Sequence, residues 1–164
     1  MTAMPHRIDH VTIRTANAGD LPALIPLINK AFAIETFLDG TRTDEEHLSA
    51  IMRKGDLLVA ERDGQAIACV YVELRGERAY FGMLAVDPAQ QGQGLGRLMT
   101  ATAEEYGHNH ACKHMDISVL SLRPELLPFY RHLGYSETCT EDFHPTRPLK
   151  AGVQCHAIVM SKVL

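Results

Sequence analysis

The sequence of 164 residues lacks three features that would each place it in a specialised class of protein. It has no block of lysine or arginine and a formal net charge of −4, so nucleic acid is not expected as its principal partner and an amine-bearing partner is favoured. It has no long apolar run, so no membrane association is expected. No signal peptide or low-complexity tract is recognisable, and these absences together predict a cytoplasmic protein.

Cysteine and histidine are present, but in patterns that predict no metal site. The four cysteines include no C-x-x-C pair, so neither a disulfide framework nor a zinc site is indicated. Cys112 and Cys139 are interpreted as inert small apolar residues, because no identifiable base would activate them. His108, His110 and His114 lie close together, but no carboxylate or cysteine completes a ligand set at metal spacing, so no metal is expected.

The remaining composition is typical of a folded domain. With 46% hydrophobic and 22% charged residues, we predict that residues 1–164 form a single domain with its own core. Apolar periodicity and turn signals predict seven strands and four helices in an α/β or α+β order. The predicted strands are Val11–Thr15, Leu57–Arg62, Ala66–Leu74, Arg78–Val86, Met115–Leu120, Ser136–Phe143 and Gln154–Lys162. The predicted helices are Asn17–Phe32, Thr43–Gly55, Gly94–His108 and Pro124–Leu133.

One turn between a predicted strand and a predicted helix indicates a ligand. The apolar strand ending at Val86 stops at Pro88, and the glycine-rich segment 91–96 then opens onto an amphipathic helix. Such a turn leaves backbone N–H groups unpaired at the positive end of a helix dipole, which favours phosphate binding. Its three glycines leave room for a bulky anion beside the backbone, and Arg97 adds a positive charge.

Two common phosphate-binding motifs do not fit this turn. A G-x-G-x-x-G fingerprint counted from Gly92 has Arg97 at its third glycine, and counted from Gly94 it has Met99 there. No Gly-Lys-Ser/Thr triplet follows, so the turn is not a P-loop. The segment Gln91-x-x-Gly94-x-Gly96 after Val-Asp-Pro instead resembles the pyrophosphate-binding signature of the GCN5-related N-acetyltransferases (GNAT superfamily). A tight turn with no ligand is the alternative.

A second segment extends this resemblance over nearly the whole chain. Residues 122–135 resemble the family's helix that carries a tyrosine followed by a glycine-aromatic pair. In similar members this hydroxyl donates a proton to the departing thiolate, which implies that role for Tyr130. A phenol of pKa about 10 is a reasonable donor to a thiolate whose thiol has a pKa of about 8.5. Because Tyr130 is spaced three residues from both Leu127 and Leu133, a core tyrosine is the alternative.

The resemblance implies a fold, a reaction and a set of binding residues. The implied fold is a mixed, mostly antiparallel sheet of about seven strands with about four flanking helices, splayed at the cofactor strand. The implied reaction is acetyl transfer from acetyl-CoA to a primary amine of a small molecule or a lysine side chain. A non-catalytic CoA-binding or sensor module and an acyltransferase for a longer acyl group are the alternatives. The implied cofactor-binding residues are Leu84, Ala85, Val86, Gln91, Gly92, Gln93, Gly94, Leu95, Gly96 and Arg97.

The general base is not identified by the resemblance. Relatives that acetylate peptide N-termini often have a glutamate base where Ser118 stands, and many have an asparagine where Arg123 stands. Glu73 is the favoured candidate, because it lies on the strand before the cofactor strand and can reach the cleft directly or through water. An exposed carboxylate near a hairpin end is its alternative. Glu35 is the second candidate, although an ordinary surface glutamate is the favoured interpretation.

The acceptor is predicted only as a class. The resemblance implies a pocket built from the first two helices, the loop Phe32–Thr43 and the final strand pair. Asp39, Asp44 and Glu45 make this region acidic, which suits polyamines, aminoglycoside-like cations or lysine side chains. An exposed last strand also offers an edge for a homodimer. Three apolar side chains provide an alternative lining for the pocket: Phe37, Leu38 and Phe143.

Overall fold

The computed structural model describes residues 10–145 and 147–164. These residues form a seven-stranded sheet and four α-helices. The strands are β1 (Thr12–Thr15), β2 (Asp56–Arg62), β3 (Gln65–Arg75), β4 (Arg78–Val86), β5 (His114–Leu120), β6 (Ser136–Asp142) and β7 (His156–Val163). The helices are α1 (Leu21–Ala31), α2 (Glu45–Met52), α3 (Leu95–Asn109) and α4 (Leu126–His132). No helix of this described part is long and apolar enough to cross a membrane.

The sheet has the order β1-β2-β3-β4-β5-β7-β6, and only the β4–β5 pair is parallel. Asp63 and Gly64 both have positive φ, at 53° and 74°, which is the geometry that a two-residue hairpin turn requires. The predicted mixed, mostly antiparallel sheet with four helices is therefore confirmed. The ends of the elements differ from the prediction by a few residues, because caps and short 3-10 turns blur helix boundaries.

Two core clusters lie on opposite faces of the sheet. Along β3, Cys69 and Tyr71 pack with α1 and α2, whereas Ala68 and Val70 pack with α3 and α4. This division follows from the alternation of side chains along a strand. Helices α1 and α2 are thus separated by the sheet from α3 and α4.

The sheet opens between β4 and β5. The two strands pair only over the three positions from Arg78↔His114 to Tyr80↔Asp116. Further along, β4 has one extra residue relative to β3, because Tyr71 pairs with Gly82 and Cys69 with Ala85. This bulge includes Met83, which has a φ of 50°. A bulge bends its strand, and here it lies where β4 departs from β5, so the predicted splay is confirmed.

Candidate active site

A cleft of about 490 Å³ lies where β4 and β5 separate. Gly96 and Tyr130 line it from the face that carries α3 and α4. Phe32, Glu35 and Arg42 line it from the other face, at the end of α1 and in the loop that follows. The cleft therefore connects the two faces of the sheet, and groups bound from opposite faces can meet inside it.

The glycine turn before α3 is open on the side where a ligand would bind. Gly92 and Gly94 have φ values of 81° and 82°, a left-handed conformation that favours glycine. A Cβ atom at either position would meet no other atom within 4 Å. Helix α3 begins at Leu95, so its first N–H groups have no acceptor within the helix. An open concavity of this kind at a helix N-terminus fits a diphosphate group.

The predicted cofactor-binding residues occupy different positions around this turn. Ala85 and Leu95 have their side chains in the core, so only their backbone groups are available to a ligand. Gln93 Nε2 donates a hydrogen bond to Gln90 Oε1 at 3.1 Å, and this contact stabilises the turn. Four of the predicted residues line the cleft: Leu84, Val86, Gln91 and Gly96. Three others are exposed at the turn: Gly92, Gly94 and Arg97.

The edge of β4 that faces the splay is available for hydrogen bonding. Within the described residues, β4 has no strand partner on its β5 side after Tyr80. Unpaired backbone groups on a strand edge bind extended ligands that carry amide groups. The pantetheine arm of coenzyme A is such a ligand. The turn fits the diphosphate of coenzyme A, and this edge fits the amides of its pantetheine arm.

Tyr130 presents its hydroxyl to the cleft from an apolar setting. The residue is 7% exposed, and its ring packs against those of Phe81 and Tyr135, with centroids 6.0 and 5.9 Å away. The hydroxyl makes no hydrogen bond to any other residue that the structure describes. Burial raises the pKa of Tyr130 to about 12, with Arg123 opposing part of this rise. The hydroxyl is therefore protonated at neutral pH and available as a donor.

Glu73 lies outside the set of side chains that line the cleft. Its carboxylate accepts hydrogen bonds from the Tyr71 hydroxyl at 2.9 Å and from Arg75 Nε at 3.1 Å. Partial burial raises the pKa of Glu73, but these two hydrogen bonds outweigh burial and the net shift is downward. Glu73 pairs across the strands with Tyr80, which does line the cleft. The structure therefore places Glu73 near the rim, where it can act on the cleft only through an intermediary.

Glu35 is a buried member of the cleft, which contradicts its favoured interpretation as a surface glutamate. It is 5% exposed. Arg147 Nη2 donates to its Oε1 at 2.7 Å, and Arg123 Nη1 donates to its Oε2 at 3.0 Å. Its partners are 88 and 112 residues distant in the chain, so no local pattern signals this cluster. With both oxygens in ion pairs, Glu35 is poorly placed to accept a proton.

Arg42 is a cleft residue that sequence reasoning missed. Its guanidinium carbon lies 5.1 Å from the centroid of the Phe32 ring, and the residue lines the cleft. Burial lowers the pKa of Arg42, with Glu35 opposing part of this effect. No motif marks this arginine, because the loop that contains it has no distinctive sequence.

The three carboxylates predicted to make the acceptor region acidic do not line the cleft. Asp39, Asp44 and Glu45 are exposed and do not line it. Asp44 instead caps α2, accepting a hydrogen bond from the backbone N–H of His47 at 2.8 Å. Besides Glu35, the carboxylates that do line the cleft come from β6, and they are Glu141 and Asp142. Of the three predicted apolar residues, Leu38 and Phe143 line it.

The histidines and cysteines singled out in the sequence do not line the cleft: His108, His110, His114, Cys112 and Cys139. The His110 ring stacks on Tyr106 with centroids 4.3 Å apart. In residues 10–145 and 147–164, no group of three histidine, cysteine, aspartate or glutamate side chains is arranged to hold a metal ion. Cys112 is buried, whereas Cys139 is exposed on β6.

Comparison with known proteins agrees with this architecture. A family model of the acetyltransferase (GNAT) domain matches residues 53–137, just over half of the chain. The ribosomal-protein-S18-alanine N-acetyltransferase from Escherichia coli has a similar structure, with a TM-score of 0.78 and 21% identity over 93% of each chain. A GNAT family acetyltransferase from Elizabethkingia anophelis with acetyl-CoA bound has a TM-score of 0.75 and 20% identity, over 95% of this chain and 99% of that one. A phosphinothricin acetyltransferase from Sinorhizobium meliloti in complex with acetyl-CoA has a TM-score of 0.74 and 16% identity, over 94% and 89%.

The matched segment includes the structural features that form the cleft. It contains the bulged strand β4, the open glycine turn, helix α3 and Tyr130. The TM-scores to these solved structures support the fold, and the family match supports the family assignment. The chain belongs to the GNAT family of acetyltransferases.

Proposed function

We propose that residues 1–164 act as one N-acetyltransferase domain that transfers the acetyl group of acetyl-CoA to a primary amine. The observation that carries this proposal is the cleft through the sheet, which brings the glycine turn, the free edge of β4 and the Tyr130 hydroxyl together. Two of the compared proteins contain acetyl-CoA, which supports it as the donor. A small molecule or a lysine side chain is the acceptor, entering from the α1 face.

Bound acetyl-CoA supplies an acetyl group activated as a thioester. The backbone N–H groups of the glycine turn and the start of α3 hold its diphosphate. The free edge of β4 binds the amides of its pantetheine arm. The bulge at Met83 withdraws backbone groups from the ladder at the splay, where an N–H can donate to the thioester carbonyl. Fixing donor and acceptor in one cleft supplies up to roughly 7–11 kcal/mol of rate acceleration.

Tyr130 supplies the proton that the leaving group requires. As the amine nitrogen bonds to the acetyl carbon, the carbon–sulfur bond breaks and the electron pair goes to sulfur. The Tyr130 hydroxyl donates to that sulfur from the aromatic wall of the cleft. Burial that raises the pKa of a phenol also raises the pKa of a thiol beside it. The two pKa values therefore rise together, which keeps the phenol an effective donor to the thiolate.

Glu73 is the proposed general base. It takes the proton of the amine through a bridging water molecule. A Glu73→Gln variant is then expected to lose about 10²-fold or more in kcat, the range typical of general acid–base catalysis. Because the pKa of Glu73 is lowered, the carboxylate is ionised at neutral pH and the loss is expected across pH 6–9. The measurement is the pH profile of kcat for both proteins. An unchanged rate and profile would mean that bulk water accepts the proton.

Binding of coenzyme A at the glycine turn is tested by a Gly96→Leu variant. Gly96 is the second residue of α3, and a Cβ atom there would meet only Phe129 at 3.6 Å, an ordinary contact. Leucine also has a higher helix propensity than glycine, so the fold should be retained. The leucine side chain would overlap the bound diphosphate, and we expect an affinity loss of about 10- to 100-fold, as overpacking by 1–3 kcal/mol implies.

The matched control is Ala101→Leu, which introduces the same side chain on the exposed side of the same helix. Calorimetric titration with coenzyme A should give the wild-type dissociation constant for this control. Wild-type affinity in Gly96→Leu, with a normal thermal transition, would refute the binding mode.

Catalysis itself is tested by mixing the wild-type protein, acetyl-CoA and a pool of primary amines. Release of free thiol together with an acetylated amine detected by mass supports the proposal. Binding of acetyl-CoA without thiol release would indicate a non-catalytic module. Turnover only with longer acyl donors would indicate a different acyl specificity.

A further inference from the structure

Three arginine side chains surround one buried carboxylate on the acceptor side of the cleft. Arg123 and Arg147 form ion pairs with Glu35 at 3.0 and 2.7 Å. Arg42 lies in the same wall, close enough to Glu35 and Arg147 for both to affect its pKa. Arg123 also pairs with Glu125 at 2.6 Å, so two carboxylates serve Arg123 and Arg147, and Arg42 is the third guanidinium of this wall.

Arg42 is the member of this cluster that lacks a protein anion. Its guanidinium faces the Phe32 ring at 5.1 Å, and among the described residues no oxygen accepts a hydrogen bond from it. Guanidinium has five N–H donors and keeps its charge in proteins. Arg42 is half-buried in the cleft, and withdrawing part of such a group from water is unfavourable unless an acceptor binds it. In addition, Arg147 is 7% exposed and its Nε is buried without a partner in the part of the chain described.

The location of this cluster associates it with the acceptor instead of coenzyme A. Arg42 belongs to the loop after α1, whereas the glycine turn opens on the side of α3. The loop is held by the chain segment before β7. The Asp39 N–H donates to the Pro148 carbonyl at 2.9 Å, and Leu38 forms an isolated antiparallel β-bridge with Leu149. Arg147 also donates to the Gly40 carbonyl at 3.4 Å. These contacts form a built wall on the opposite side of the sheet from the diphosphate.

We propose that the acceptor is an amine that also carries a carboxylate group, which the Arg42 guanidinium binds. This inference rests on the proposed function. A carboxylate matches the planar fork of guanidinium and forms two parallel hydrogen bonds with it. A polycationic acceptor has no acidic group that this guanidinium could bind. The exposed carboxylates of Glu141 and Asp142, which also line the cleft, suit the ammonium end of the same molecule.

The test compares amines that carry a carboxylate with the same amines as carboxamides. The panel contains α-amino acids, ω-amino carboxylic acids, the amide of each, a polyamine and a lysine peptide. For each acceptor, kcat/KM is measured with the wild-type protein and with Arg42→Gln and Arg42→Lys. We expect the carboxylates to be preferred. Arg42→Gln should lower kcat/KM roughly 10- to 100-fold for the preferred carboxylate, the effect of losing hydrogen bonds to a charged group, and leave its amide nearly unchanged.

Measuring the acid and its amide with both proteins separates a loss of carboxylate recognition from a general loss of activity. Arg42→Lys keeps the positive charge but lacks the planar pair of N–H donors, so its loss in kcat/KM should lie between those of the wild type and Arg42→Gln. Arg53→Gln, which removes an exposed arginine after α2, is the matched control and should behave as the wild type. Thermal unfolding and coenzyme A affinity establish that each variant is folded.

Each result bears on the inference. Preference for the amides, or for the polyamine or lysine peptide, would overturn the inference while leaving the proposed acetyltransferase function intact. Equal losses for acid and amide in Arg42→Gln would also overturn it. Failure of the wild-type protein to bind acetyl-CoA, or to acetylate any acceptor, would overturn the proposed function and the inference with it.

Discussion

Tyr130→Phe is expected to lower kcat by about 10²- to 10⁴-fold, the usual contribution of a positioned general acid. The hydroxyl has no hydrogen-bond partner among the described residues, so its removal breaks no protein contact. The phenyl ring keeps the packing of Tyr130 against Phe81 and Tyr135. The affinity for coenzyme A and the thermal transition should therefore change little. Steady-state kinetics over a range of amine concentrations measures the effect.

The pH dependence of the same variant gives a second readout. Because burial raises the pKa of Tyr130 to about 12, the protonated hydroxyl is fully present below pH 10 and is lost only as the pH rises through about 12. The ratio of the wild-type rate to the Tyr130→Phe rate should thus stay constant between pH 6 and 9. A ratio that falls towards one as the pH rises within this range would show that a different group supplies the proton.

Tyr135→Phe is the matched control, because Tyr135 belongs to the same aromatic cluster. Its hydroxyl donates to Glu104 at 3.2 Å. Loss of this bond should lower the free energy of unfolding by about 1–2 kcal/mol and leave kcat unchanged. If Tyr130→Phe retains the rate of this control, the proton-donor role of Tyr130 is wrong.

Glu35→Ala is expected to lower the free energy of unfolding by about 3–5 kcal/mol, the cost of removing one partner from a buried ion pair. The substitution leaves Arg123 and Arg147 without their shared carboxylate, and Arg147 is itself 7% exposed. It also removes one of the contacts between the loop after α1 and the segment before β7. Urea denaturation measures the change. Glu35→Gln, which keeps an acceptor oxygen and the side-chain volume, should lose less.

The control for this prediction is Glu125→Ala. Glu125 also pairs with Arg123, at 2.6 Å, but its side chain is exposed. Exposed ion pairs contribute about 0–1 kcal/mol, so this variant should be nearly as stable as the wild type. Equal destabilisation by Glu35→Ala and Glu125→Ala would mean that the buried cluster does not hold the loop in place.

The glycine turn on the α3 side of the cleft could be predicted from the sequence because its geometry is local. The glycines at 92, 94 and 96 lie in one turn between a strand and a helix, and the structure shows that turn to be open. The apolar pattern also identified each strand of the sheet. Glu73 shows the limit of this reasoning, since its strand phase was known but its bonds to Tyr71 and Arg75 were not.

The acceptor side was decided by the tertiary structure. The sequence determined the order of elements, the hairpin at Asp63–Gly64 and the open glycine turn before α3, because each depends on residues adjacent in the chain. The burial of Glu35 and the arginine-rich wall depend on Arg123 and Arg147, which are 88 and 112 residues distant from it. Their charges meet only when the splayed sheet brings the loop after α1 against the segment before β7. A carboxylate and its partners carry no local signature, so the ligand chemistry of that wall is a property of the folded chain.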